Sequence, residues 1–438
     1  MTGPDEPTAR WLTSAAGLAV VERTTAALDA GEDALQVADR LSRDGIDTAR
    51  RAAAVDAAVC RRRARDRWPE AERLLFTRQA LEQASDPAVA AHRARSLLAR
   101  AAGEGSRWQG TVLDLGAGVG GDAIALARAA TPLAGEVVAV DTDPARLQLL
   151  AHNAEVAGVV VRTRCADVLE VRSGPGVVCH ADPGRRVGQR RVRRLSEHQP
   201  SVPALLAAHA DALHLAVALS PGVEPEDPDL PPGLEVEYVQ LGGALVEATV
   251  WTGLGRGGSG GPWDPATGPT DIAAPPAARR RATLLDDGGR ELAPPDALDG
   301  IDGLAIGDIG RWLVEVAPAA VRARQHDALG ALLGARRVAR NRALLTCDER
   351  PPASPWYRAW PVLAVLPGRA KAVRRWLRSP DGARHLDAGL EIVLHGVDTD
   401  PTQLWQQLGR PTRGPRGVRL AFIRRDRDTV AVVCAAVS

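Results

Sequence analysis

The residues of greatest chemical interest lie in one short run, Val112-Leu113-Asp114-Leu115-Gly116-Ala117-Gly118-Val119-Gly120-Gly121-Asp122. An apolar stretch ends in a carboxylate, passes through a glycine turn and opens into a helical pattern over Asp122–Ala130. Glycines let the backbone approach a ligand closely, and a helix start offers free N–H groups and the positive end of a dipole. This is chemistry for holding the polar part of a nucleotide-containing cofactor. Two cofactor classes fit the motif alone. Gly116, Gly118 and Gly121 satisfy the G-x-G-x-x-G dinucleotide fingerprint, and Asp141 stands about twenty residues on, where a ribose-binding acid is expected in either class.

Three further features favour S-adenosylmethionine (SAM). Asp114 precedes the glycines, where a pyrophosphate would be repelled but a cationic methionine moiety attracted. Asp167 follows the third candidate strand, a position that commonly meets the adenine amino group in SAM enzymes. Asp182-Pro183-Gly184-Arg185-Arg186 follows the fourth, where the acceptor would lie. The expected cofactor-binding set is Asp114, Gly116, Gly118, Gly120, Asp122, Asp141, Asp143 and Asp167. Gly116, Gly118 and Gly120 would admit the methionine end. Asp182 and Arg185 are the candidate catalytic residues: a carboxylate to accept a hydrogen bond or proton, and a guanidinium to cover a base or bind an anion. In-line methyl transfer from an already activated cation needs no metal, and Glu197, His198 and Asp211 match no ligand spacing.

The elements that must carry these residues follow from periodicity. Residues 8 to about 103 read as helical, with Trp11–Val21 as an amphipathic helix; Ser85-Asp86-Pro87 marks a helix start and Gly103 its stop. Strands are expected at Thr111–Leu113, Val137–Val140, Val159–Arg164, Val177–Ala181 and Leu213–Leu219, alternating with helices at Asp122–Ala130 and Pro144–Ala157. Leu234–Gln240 and Leu245–Trp251 flank Gly242-Gly243 as a hairpin. The expectation is an α/β fold: a Rossmann-like parallel sheet ending in an antiparallel hairpin, with a helical segment before it and a small α/β domain after it. The boundaries predicted are 1–105 helical, 106–252 cofactor-binding, 253–345 a Gly/Pro-rich linker and connecting region with a helix from Pro318 to about Leu333, and 346–438 the last domain.

Several of these runs resemble the bacterial class I SAM-dependent methyltransferases that end in a THUMP-like domain. The resemblance covers about residues 75–438 and rests on Asp114–Asp122, Val140-Asp141-Thr142-Asp143-Pro144, His152-Asn153-Ala154, Asp182-Pro183-Gly184-Arg185-Arg186, Leu219-Ser220-Pro221-Gly222, Glu247-Ala248-Thr249-Val250-Trp251 and Arg281-Ala282-Thr283-Leu284-Leu285. Phe76-Thr77 and Glu82-Gln83-Ala84-Ser85 extend it upstream, and Asn153–Val159 is also similar to the trimethylguanosine synthase group. The resemblance implies a methyltransferase that uses SAM, with RNA (tRNA or rRNA) as its substrate class. Gly184 and Arg185 stand where amino-methylating relatives carry a proline and an aromatic, and His395 is the basic residue left before Gly396 in the tail. Two other readings stay open: a non-catalytic RNA-binding protein on this fold, and a small-molecule methyltransferase.

Composition narrows the field less. A net charge of +1 over 438 residues signals no particular partner, and because Lys371 is the only lysine, the arginine run Arg185 to Arg194 reads equally as a phosphate track or a solvated face. The five cysteines form no C-x-x-C pair, which fits a reducing cytoplasm. No apolar stretch reaches the length of a membrane span.

Overall fold

Six helices precede the first strand, and each begins on a side chain that accepts a backbone N–H. The caps are Asp5, Ser14, Asp33, Asp47, Thr77 and Asp86, for α1 (Glu6–Leu12), α2 (Ala15–Asp29), α3 (Ala34–Arg43), α4 (Thr48–Ala64), α5 (Arg78–Gln83) and α6 (Pro87–Gly103). Such caps satisfy amide groups that the first turn leaves without partners. The Ser14 cap divides the apolar patch Trp11–Val21 between two helices instead of one. The computed structural model describes residues 3–187, 190–253, 263–264, 268–269, 279–293, 303–340, 342–385, 389–409, 418–426 and 428–435.

The chain forms two compact units. The first comprises residues 1–242, 246–281 and 285–291, and the second residues 243–245, 282–284 and 292–438. In the first, β1 (Thr111–Leu115) leads through the glycine turn to α7 (Gly121–Ala130), then to β2 (Glu136–Asp141), α8 (Pro144–Val156), β3 (Arg162–Cys165) and β4 (Val177–Ala181). A ribbon of β5 (Arg186–Val187) and β6 (Arg190–Arg191) precedes α9 (Val202–Ala208) and β7 (His214–Leu219). The hairpin strands are β8 (Glu235–Leu241) and β9 (Ala244–Trp251), with Gly242 and Gly243 both at positive φ in the turn. After the short ribbon β10 (Trp263–Asp264) and β11 (Gly268–Pro269) comes β12 (Arg279–Leu285). Most of the Gly-rich run predicted as a linker, including Gly257-Gly258-Ser259-Gly260-Gly261, lies outside the described residues.

The main sheet has the order β12-β8-β9-β7-β4-β1-β2-β3. β1, β2, β3, β4 and β7 are mutually parallel, and β9 runs antiparallel to β7. The chain leaves β1 toward β2 on one side and returns to β4 on the other. A crevice therefore opens at the carboxyl ends of β1 and β4, the usual ligand position in such sheets. The third strand, expected over Val159–Arg164, starts later: Val159 and Val161 pack inward ahead of it, and β3, an exposed edge strand, begins at Arg162.

One buried amide ties the helical segment to the glycine turn. Asn153 on α8 donates to the carbonyls of Leu75 and Val119, both at 2.9 Å, and accepts from the Leu75 N–H at 2.8 Å. Around it, α1–α4 share an apolar core with Val119, Ala145 and Leu149.

The second unit is built on a seven-stranded sheet. Its strands are β13 (Trp312–Val316), β14 (Arg336–Arg337), β15 (Leu344–Cys347), β16 (Tyr357–Pro367), β17 (Leu390–His395), β18 (Val418–Arg425) and β19 (Asp428–Ala435), in the order β14-β15-β13-β16-β19-β18-β17. Only β17 and β18 are a parallel pair among the registers described. The helix expected over Pro318 to Leu333 is two, α10 (Pro318–Arg322) and α11 (His326–Leu332), because Arg324 adopts a left-handed φ of 58° between them. Of α12 (Ala370–Leu377), α13 (Pro380–Ala383) and α14 (Pro401–Gln407), α12 and α14 cover one sheet face with Val373, Leu377 and Leu404. Glu315 forms an ion pair with Arg419 at 2.6 Å and lies 3.1 Å from His395 Nε2, so the one basic residue before Gly396 is already engaged.

Removing the Asn153 amide leaves three buried backbone groups without partners. Asn153→Ala should lower unfolding free energy by about 3 kcal/mol, measured by urea denaturation.

Candidate active site

A cleft of about 520 Å³ opens over the ends of β1, β2 and β4. Its floor and walls carry Asp114, Gly116, Gly118, Asp122, Asp141, Asp167 and Asp182, seven of the ten residues expected from sequence. The helical segment adds Gln79 and Gln83, one turn apart on α5, and Gln199-Pro200 closes the far side.

The turn is shaped from within. Gly116 and Ala117 donate their N–H groups to the Val140 carbonyl at 2.8 and 3.0 Å. Gly118, at a φ of 56°, donates to Asp141 Oδ2 at 2.9 Å, and a Cβ there would meet nothing within 4 Å. That backbone is therefore bare toward the cleft. The other Asp141 oxygen accepts the Asp143 N–H at 2.9 Å. Asp167 accepts from the Leu169 N–H at 2.9 Å, and the loop behind it is pinned by His209, which bonds the Val168 carbonyl at 3.0 Å.

Three expected residues stand apart from the cleft. Gly120 has a packing role: at a φ of 98° a Cβ would press to 2.8 Å from Leu150. Asp143 is the cap of α8, accepting from Ala145 at 2.9 Å and Arg146 at 3.3 Å. Arg185 does not line the cleft; its carbonyl accepts the Val192 N–H at 2.9 Å. The side chains of Arg186, Arg190 and Arg191 lie outside the described residues.

The acids of the floor are held by a buried network. Arg93 on α6, only 2% exposed, forms ion pairs with Asp122 at the head of α7 and with Glu247 on β9, and bonds Ser85 Oγ at 3.1 Å. Burial opposes the Arg93 charge, but the two carboxylates outweigh it and push its pKa up; against burial, Arg93 and His180 hold Asp122 below the usual carboxylate range. Asp114 Oδ1 meets His180 Nδ1 at 2.8 Å, with both residues 1% exposed. Burial drives Asp114 upward, while His180 is held above the usual imidazole range against burial by Asp122 and the bond to Asp114. Asp182 is pushed up to about 7, first by burial and then by repulsion from Asp122. Its segment is fixed by the reciprocal backbone bonds of Gly184 and Gln199 at 2.8 and 3.0 Å.

His180, Gln79 and Gln83 were not among the expected residues. His180 had one available signal: it lies two positions before Asp182 at the end of β4, a spacing that keeps side chains of an extended chain on one face.

A parallel sheet with an acid and glycine turn at its switch point, further acids after the next strands and an antiparallel hairpin at its edge defines a Rossmann-like methyltransferase fold. Comparison with known proteins agrees. Residues 112–180 match the family model described as a methyltransferase domain, and residues 357–436 that described as THUMP domain-like. The chain is 30% identical over 363 residues to an uncharacterised SAM-dependent methyltransferase of Mycobacterium tuberculosis, found in two strains, covering 82% of this chain and 87% of the relative. A crystal structure of a provisional methyltransferase from Porphyromonas gingivalis shares the fold, with a TM-score of 0.66, 18% identity and coverage of 90% of this chain and 92% of that one. The protein belongs to the SAM-dependent methyltransferases, and its cofactor is SAM. Among the described residues no helix is long and apolar enough to cross a membrane.

Arg93→Met would leave Asp122 and Glu247 buried without their cation. It should cost about 3–5 kcal/mol of stability, seen as a lowered thermal midpoint.

Proposed function

We propose that the protein methylates RNA, tRNA or rRNA, with Asp182 handling the acceptor's proton. The observation that carries this reading is the Asp182 carboxyl lining the cleft that suits the cofactor, where burial and the nearby Asp122 push it up to about 7. The fit to SAM is supported by chemistry on the cleft's own surface. Bare glycine backbone at Gly116 and Gly118 can approach the methionine end, and Asp114 Oδ2 is a buried oxygen without a hydrogen-bond partner among the described residues. Asp141 would hold the ribose hydroxyls through lone pairs not used by Gly118 and Asp143, and Asp167 would accept from the adenine amino group through the oxygen not bonded to Leu169. Bound SAM supplies a methyl group on a positively charged sulfur, already activated toward a nucleophile. What the chain adds is alignment and a place for the proton. Near neutral pH Asp182 is divided between its two forms, so it can take a proton from an amine or hydroxyl and return it to solvent. Arg185, next to the acceptor segment, remains the candidate to cover a base or hold a phosphate.

RNA is favoured as acceptor by the THUMP-like region and by a cationic helix within it. Lys371, Arg374, Arg375 and Arg378 follow i, i+3, i+4, i+7 spacing at α12 and are exposed, while Val373 and Leu377 face the core. Such a row suits a phosphate backbone.

Tritium from methyl-labelled SAM should enter bulk tRNA or rRNA from cells lacking this protein. Incorporation into small molecules alone would sink the RNA reading and leave a small-molecule enzyme. The rate below saturation should rise with pH through about 7 as Asp182 loses its proton, and Asp182→Asn should lose about 100-fold or more in rate and this limb of the profile. A carboxyl raised in the folded state favours folding at low pH and loses that contribution as pH climbs to about 7. Asp182→Asn should therefore be more stable than the parent by about 1–3 kcal/mol at pH 8, after allowing for solvent screening in the cleft, and by little at pH 4. Replacing Arg374, Arg375 and Arg378 with Ala should weaken RNA binding at all sequences and flatten its salt dependence by about one log–log unit per lost phosphate contact.

A further inference from the structure

We propose that His180 is a positioning residue for cofactor capture: with Asp114 it forms one proton-holding unit beneath the cleft, and that unit releases its proton when the cationic methyl donor binds. The inference rests on the cleft being the SAM site.

His180 faces charged groups from every element packed around it. Asp114 lies directly opposite on β1, in register and 2.8 Å away. Asp122 at the head of α7, Arg93 from α6 and Asp182 just beyond β4 also act on the pair, and Glu247 on β9 meets it through Arg93. Four carboxylates, Asp114, Asp122, Asp182 and Glu247, thus surround the buried Arg93, and among the described residues Arg185 adds a second cation that acts on Asp182. His180 Nε2 and Asp114 Oδ2 are both buried and without hydrogen-bond partners among the described residues, although both residues line the cleft. Among the described residues nothing hydrogen-bonds these two remaining atoms of the pair. A proton on it offsets part of the excess negative charge when the cleft holds only solvent.

SAM carries a net charge of +1: sulfonium and ammonium against one carboxylate. S-adenosylhomocysteine has lost the sulfonium charge and is neutral overall. A positive ligand above the pair supplies the compensation that the proton gave, and the two repel each other. The proton on the pair then leaves to the buffer, His180 becomes neutral, and its Nδ1–H donates to an ionised Asp114. The product, lacking the sulfonium charge, displaces the proton less, so proton return favours product release over donor release.

The experiment is calorimetry of SAM and S-adenosylhomocysteine binding to the whole protein, in buffers of different ionisation enthalpy between about pH 6 and 8.5. The parent should release more protons with SAM than with S-adenosylhomocysteine, and its SAM affinity should tighten with pH by up to about tenfold per unit. His180→Asn keeps an N–H for Asp114 but cannot be protonated; it should still bind SAM, with the His180-linked release gone. Asp182→Asn, which removes the other neutral-range group, should retain that release. In parent protein labelled with 15N-histidine, the His180 signal should move from the imidazolium to the neutral range on adding SAM, a readout that needs no variant to fold. Equal proton release by both ligands, an unchanged release in His180→Asn, or an imidazole signal that stays put would overturn the inference while leaving SAM binding intact. Absence of SAM binding by the parent would overturn the site reading itself.

Discussion

Carboxylates repel one another, and this protein gathers Asp114, Asp122 and Asp182 around the floor of one cleft. A buried guanidinium makes that tolerable. Arg93 reaches from α6 to Asp122 and Glu247, tying the last helix of the upstream segment to both α7 and β9 of the sheet. A buried ion pair of this kind adds little net stability compared with apolar packing, yet it is costly to break from one side. Its value here is electrostatic. With Arg93 present, Asp122 stays ionised, and an ionised Asp122 is part of what lifts both Asp182 and His180. Arg93 therefore acts on the cleft in two opposed ways without lining it: it keeps Asp122 ionised, which raises Asp182 and His180, while its own charge lowers both.

Rigidity is distributed in the same way. The glycine turn has few side chains with which to hold itself. Its shape comes from Val140 accepting two of its amides, Asp141 a third, and Asn153 gripping the Val119 carbonyl from behind. The backbone left bare toward solvent is what remains after those bonds are made. A site assembled this way is pre-shaped before any ligand arrives, which lowers the ordering cost of binding.

Much of this was legible in the sequence where the signal is local. The run from Val112 to Asp122 announces strand, acid, turn and helix in consecutive residues, and Ser85-Asp86-Pro87 announces α6 by capping chemistry alone. Legibility fails where the determinant is non-local. β13 and β15 lie in a stretch of mixed composition, and nothing nearby reveals that Trp312–Val316 pairs with both Leu344–Cys347 and Tyr357–Pro361. His180 is invisible as a partner of Asp114 because their contact depends on the strand order, which sets β4 beside β1. Asp143 and Gly120 show the converse problem. Both sit inside motifs shared with residues that line the cleft, but Asp143 is used as a helix cap and Gly120 as clearance for Leu150. A motif records which residues travel together, not which of them face the ligand.

The cleft wall supplied by α5 has a consequence for modularity. Gln79 and Gln83 border the same space as the glycine turn, and Leu75, just upstream, is clasped by Asn153. The functional module is thus larger than the Rossmann-like sheet that identifies it. Substitutions in α5 therefore reshape the wall of the cleft as directly as substitutions in the sheet do. A change of acceptor preference could arise in helices that precede the recognisable methyltransferase motif and leave that motif untouched.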